Sequence, residues 1–311
     1  MCLSSSQRII ILMQEDLSHE LNTQFWNIPE KTSLKDKELE AKAEQLIAEA
    51  YFLMNEKYGT KGKEPRIYHN PEHINTVMAV AEKIAQKMGL PKEDTILLRI
   101  AVAWHDIDSN QESGIDEIKT ATTVMKRMAE LNFPPIQIRK VIETILATQW
   151  YMDTNGAIAQ KINNLLGKRK NTIVPTLGGG EEVTTWDANL NTKDSIGILK
   201  LKKIMADADL CGMGSEWNTY LNGAIKICRE LGILPSHEEP YTDEEWIKFY
   251  KSQETILTGF LKRESARTKE NQPTTYGYYT AAAQEILPHV AENLVKTQQI
   301  LGELQAKQQT A

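Results

Sequence analysis

The run from Lys92 to Asp108 limits the possible folds of this chain more than any other segment. Ile96, Leu97, Leu98, Ile100, Ala101, Val102, Ala103 and Trp104 leave almost no polar face, so the segment must be surrounded by protein. Its length favours a helix over a buried strand. It ends on His105-Asp106, and two ionisable groups at the edge of a core are costly unless paired or bound to a metal. Histidine is scarce, with six in 311 residues, yet two more fall together upstream in Tyr68-His69-Asn70-Pro71-Glu72-His73. Clustered imidazoles beside a carboxylate point to a metal site.

The upstream stretch carries clear helix punctuation. Asn70 is a good N-cap, Pro71 suits the first helical position, and Glu72 sits well at the positive helix end. Apolar residues follow at 74, 77, 78, 81, 84, 85 and 88, and Gly89 and Pro91 close the helix. This predicts His73 in the first turn and His69 just before it. An amphipathic helix capped by Ser33 is expected up to Tyr58, after residues 1–31, which have no clear period. Further helices are predicted over 116–131, 136–150, from Ser195 to the pair Asp207 and Asp209, from Glu216 to Leu231, and after the capping box Thr242–Glu245. A single long helix is predicted from Thr280 to the C-terminus. Residues 153–194 are rich in Asn, Gly and Thr and read as a long irregular surface insertion carrying the basic triplet Lys168-Arg169-Lys170. No repeat, βαβ unit or hairpin signal is found, so the expected class is all-α.

Composition narrows the function classes. The chain is 41% apolar and 25% charged, as ordinary soluble globular proteins are. A net charge of −6 provides no basic field for a nucleic-acid polymer. Cys2, Cys211 and Cys228 are odd in number and widely spaced. They form neither a disulfide framework nor a zinc ribbon, and they fit a reducing, cytoplasmic setting. The apolar run Ile9–Met13 is too short for a signal-peptide core or a membrane span.

Set side by side, His73, His105, Asp106 and an acid at 207 or 209 form a plausible ligand set for a divalent ion. These residues resemble the HD superfamily of metal-dependent phosphohydrolases. Its H…HD…D pattern is met by His73, His105-Asp106 and Asp209. The Tyr-His-Asn-x-x-His element at 68–73 is similar to one in cyclic-nucleotide phosphodiesterases and in many bacterial HD phosphohydrolases, and the bacterial branch matches best. Ala208-Asp209-Leu210, followed by Gly212 and Gly214, looks like the last ligand segment of that branch. The resemblance covers roughly residues 64–231.

The resemblance implies an HD-domain helical bundle over 61–270, an N-terminal helical extension over 1–60, and a C-terminal helix over 271–311 that packs on the domain. It implies metal ligation by His73, His105, Asp106 and Asp209, with Asp207 in a supporting place, and an ion such as Mn, Fe, Mg, Zn, Ni or Co. Relatives with two tight metals carry further histidines after His-Asp; here Ile107-Asp108-Ser109-Asn110 and Thr148-Gln149-Trp150 have none, which favours one tight site. The implied activity is hydrolysis of a phosphate ester of a nucleotide or related small molecule by a metal-activated water, as a phosphomonoesterase or phosphodiesterase. His69 is the implied proton donor to the leaving oxygen, and Glu117 is a second catalytic candidate from a loose match of Asp116-Glu117 and Thr120-Ala121 to the bacterial pattern. Arg66 reads more readily as surface charge than as a phosphate ligand, and Tyr68 as packing. Two alternatives stand beside this reading: a metal oxygenase on the same scaffold, and a non-catalytic module that binds a nucleotide or partner. Substrate identity and oligomeric state have no signature in the sequence.

Overall fold

The computed structural model describes residues 36–109, 116–148, 170–175, 181–186, 192–236, 240–261 and 278–310. These form helices α1 (Asp36–Tyr58), α2 (Pro71–Lys87), α3 (Lys92–Trp104), α4 (Asp116–Glu130) and α5 (Pro135–Ile145) in the first half. The second half adds α6 (Thr192–Asp209), α7 (Trp217–Glu230), α8 (Asp243–Leu261), α9 (Ala281–Ile286) and α10 (Val290–Thr310). Short 3-10 turns follow α5 at Leu146–Thr148 and α6 at Cys211–Gly214. The chain is all-α in class.

Helix α3 is the axis of the molecule. Leu97, Ile100, Ala101, Ala103 and Trp104 face a core shared with α1, α4 and α5. Leu98 and Val102 face a second core built with α2, α6, α7, α8, α9 and α10. The absence of a polar face thus has a physical reason, since both sides of α3 are covered. Each fully buried Leu or Ile contributes about 1.5–3 kcal/mol relative to exposure. The one polar atom of Trp104 is satisfied, its indole Nε1 donating to the Leu46 carbonyl at 3.0 Å. Helix α1 enters this core through Leu39, Ala43, Leu46, Ala50 and Met54.

The caps form as the residue types dictate. Asn70 Oδ1 accepts from the backbone N–H of Glu72 and His73, so the side chain that starts α2 also holds the backbone of His73. Asn70→Ala is expected to cost about 1 kcal/mol of stability and to weaken metal retention, read by thermal melting and metal analysis. Gly89 takes φ of 60° at the end of α2, the left-handed conformation that favours glycine. Thr242 and Glu245 form a reciprocal capping box at the start of α8.

Two expectations are corrected. The region read as an irregular insertion without a hairpin signal contains antiparallel strands β1 (Lys170–Pro175) and β2 (Glu181–Trp186), with Ile173 opposite Val183. Both strands are rich in Thr, Ile and Val, and Pro175 is tolerated because it sits at a strand end. The single C-terminal helix is instead two, because Pro288 lies between α9 and α10 and its ring and missing N–H interrupt a helix. Thr280 Oγ1 accepts from the Ala283 N–H and caps α9.

This C-terminal pair supports the end of α6. Asn293 Nδ2 donates to the carbonyls of Met213 and Ser215, and the Tyr278 hydroxyl donates to the Leu210 carbonyl. The backbones approach so closely that a Cβ on Gly214 would lie 2.4 Å from the Leu287 carbonyl oxygen. Gly214→Ala should therefore destabilise the protein by about 1–3 kcal/mol, measurable as a shift in denaturant midpoint. Among the described residues, no helix is long and apolar enough to cross a membrane.

Candidate metal centre

Three helix ends meet at one point. The first turn of α2 supplies His73, the turn after α3 supplies His105 and Asp106, and the last residue of α6 is Asp209. His73, His105 and Asp106 each offer a ligand atom, all within 4.8 Å of one another. Asp106 Oδ2 lies 3.3 Å from His73 Nε2 and 3.1 Å from His105 Nε2. Asp209 Oδ1 completes the group at 3.3 and 3.4 Å from the same two nitrogens.

The polar atoms point to a common centre rather than to each other. His73 Nε2, His105 Nε2 and Asp106 Oδ2 are buried and make no hydrogen bond of acceptable geometry among the described residues. Such atoms are costly in a core unless something satisfies them. The other ring nitrogen of His105 is committed, since Nδ1 lies 2.8 Å from the Val102 carbonyl. A carbonyl only accepts, so in the neutral ring Nδ1 carries the hydrogen and Nε2 presents its lone pair, the form a metal-binding histidine takes. Two imidazoles and two carboxylates aimed at one point fit a divalent first-row ion.

The imidazoles and carboxylates at the centre stabilise one another's charged forms. Burial opposes a charged His73, but the adjacent carboxylates of Asp106 and Asp209 outweigh it and push the imidazole up to about 9. Burial also disfavours the Asp209 carboxylate, yet the two histidines hold it down at about 2. Asp106 is likewise lowered against its burial, with the His105 charge as the leading favourable influence. Partly buried ionised carboxylates are stabilised by positive charge nearby.

Asp207 lies apart from this group. It is almost fully buried, and its oxygens accept from the backbone N–H of Tyr279 and Thr280 and from the Thr280 hydroxyl. Its carboxylate ties α6 to the start of α9. Glu117 is half-buried in the first turn of α4 and is not among the side chains whose ligand atoms converge.

His69 sits beside the centre on a different partner. Its ring centroid is 5.8 Å from that of His73, with the Tyr68 ring 4.8 Å from His73 and 5.0 Å from His69. Nδ1 of His69 is 2.5 Å from Glu230 Oε1. Glu230 also accepts from the backbone N–H of Tyr68 at 2.9 Å and of His69 at 3.2 Å. Burial raises the Glu230 carboxyl, but the His69 hydrogen bond and charge and the two backbone donors hold it down at about 2. An ionised carboxylate only accepts, so Nδ1 of His69 carries the hydrogen and Nε2 is left for other work.

Sequence reasoning missed Glu230. It is the last residue of α7, 161 positions from His69, and nothing local separates it from an ordinary helix-end carboxylate. Arg66 is not ordinary surface charge: its side chain is only 14% exposed and bonds to Glu230.

No family model and no curated protein matches the sequence. Among solved structures, the chain is similar to the crystal structure of the phosphodiesterase domain of the Salpingoeca rosetta rhodopsin phosphodiesterase. The TM-score is 0.52 at 13% identity, over 99% of this chain and 92% of that one. At this identity the likeness is one of fold. The protein therefore has the helical fold of a phosphodiesterase domain, with a His/Asp cluster that fits a metal site.

Proposed function

We propose that this chain is a metal-dependent phosphohydrolase of the HD type, of the bacterial Tyr-His-Asn-x-x-His branch, that cleaves a phosphate ester of a nucleotide or related small molecule. The observation that carries this reading is the convergence of buried, unsatisfied His73 Nε2, His105 Nε2 and Asp106 Oδ2 on one point, with Asp209 Oδ1 beside them. These four residues would hold one divalent ion. When bound, such an ion supplies an activated water and polarises a phosphoryl oxygen.

The chain's own groups would do the rest. His69 has Nδ1 committed to Glu230, so Nε2 is the nitrogen that delivers a proton to the leaving oxygen. Glu230 fixes the tautomer and orientation of that ring. Tyr68 packs against both histidines. Along the chain, residues 61–270 would carry the chemistry, with the N-terminal helix and the C-terminal pair as supports.

Metal analysis of the purified protein, combined with a hydrolysis screen over nucleotides and other phosphate esters, tests this reading. About one equivalent of a divalent ion and hydrolysis that a chelator abolishes are expected. Metal-replete protein that binds nucleotides but turns none over would favour a binding module, and oxygen uptake by the iron-loaded form would favour an oxygenase.

A further inference from the structure

We propose that Arg66 is a positioning residue that fixes the His69–Glu230 couple relative to the loop following Asp106; this deepens the reading of His69 as proton donor and rests on it. Nη1 of Arg66 is 3.3 Å from Glu230 Oε1, and Nη2 donates to the Ser109 carbonyl at 2.5 Å. The guanidinium stacks over the Tyr58 ring, its central carbon 5.0 Å from the centroid. The two ends of the fork therefore grip two parts of the site that are far apart in sequence. One part is the carboxylate that orients His69. The other is the third residue beyond the Asp106 carboxylate.

The loop is held from the same side by the end of α1. The Tyr58 hydroxyl donates to the Ser109 carbonyl at 3.0 Å and accepts from the Ser109 N–H at 2.9 Å. Lys57 Nζ lies 3.3 Å from the Ile107 carbonyl and 3.2 Å from Asp108 Oδ1. With the loop pinned by Lys57 and Tyr58, Arg66 is the side chain that carries its position across to Glu230. The planar fork matters here, because one nitrogen must face the carboxylate while another faces the carbonyl. A lysine offers a single ammonium in place of two nitrogens held apart in one plane. Without Arg66, Glu230 keeps its two backbone donors from Tyr68 and His69, so the couple survives while its placement against the metal loop loosens. A guanidinium already engaged at both ends is poorly placed to grip a substrate phosphate.

The test uses Arg66→Lys and Arg66→Gln in the full chain. Each is assayed with an ester carrying an activated 4-nitrophenolate leaving group and with one carrying an alkoxide leaving group. The alkoxide needs the proton from His69 and the nitrophenolate does not. We expect kcat for the alkoxide ester to fall roughly 10- to 100-fold, the scale of a misplaced catalytic group, with little change for the activated ester and none in KM or metal content. The His69 Nδ1–H resonance in histidine-labelled protein should shift or broaden in both variants. A rise in KM with kcat unchanged would assign Arg66 to substrate binding and overturn the proposal, as would a His69 resonance and kinetics identical to wild type. Arg66→Lys keeps the charge and the stem over Tyr58 and decides the matter if Arg66→Gln does not fold. If the wild-type protein hydrolyses neither ester, the proposed function fails, and the His69 resonance alone still decides whether Arg66 positions the ring.

Discussion

His105→Ala is expected to strip the ion from the protein and abolish turnover together. The imidazole is essentially fully buried, its Nδ1 is held by the Val102 carbonyl, and its Nε2 is one of four atoms at the centre. His69, the histidine beside the centre, has Nδ1 committed to Glu230. Losing an outer partner of a metal ligand costs roughly 10–100-fold in affinity or activity, and losing the ligand itself should exceed that. Stability should fall as well, because Asp106 and Asp209 would lose one of the two imidazoles they share. Bound metal and hydrolysis, measured on the same sample, check this. Metal lost with turnover intact would sink the metal-dependent reading.

His69→Ala is expected to behave differently. Metal content should stay at the wild-type level, since Nδ1 of His69 is held by Glu230 and His69 is not among the side chains whose ligand atoms converge, while kcat falls by ~10²–10⁴-fold, the range for loss of general acid catalysis. The defect should shrink with an activated leaving group, which departs without a proton. Glu230→Gln should give a smaller loss of the same character. It keeps a group of similar shape but removes the carboxylate that the two backbone N–H groups and the imidazole share. A variant at either position that loses its metal would place that residue in the ligand set instead.

These two variants separate roles that a sequence motif merges. His69 and His73 belong to one hexapeptide, and the helix start at Asn70 and Pro71 divides them. The residue inside the helix turns toward α3 and α6, and the residue outside turns toward α7. Gly214, Asn293 and Tyr278 then hold the turn beyond Asp209 from the opposite side. Substitutions there should reach the site through the placement of α6 rather than through any contact with it.

Much of this was legible in the residues. The buried character of α3, the cap at Asn70, the break at Gly89 and the capping box at Thr242 are local, and short-range sterics and hydrogen bonding dictate them. The position of His73 in a first turn follows from the cap alone. What the sequence could not decide was everything that depends on which helix ends meet. Asp207 and Asp209 are separated by one residue, and only packing turns the first toward Tyr279 and Thr280 and the second toward the two histidines. Glu230 became the partner of His69, and Arg66 the link to Ser109, because α7 and the turn after α3 flank the same loop. Pairings across such distances arise from the burial of apolar faces by the whole bundle. The residue types needed for a metal centre were readable in sequence, while the pairing of His69 with Glu230 beside it exists only in the fold.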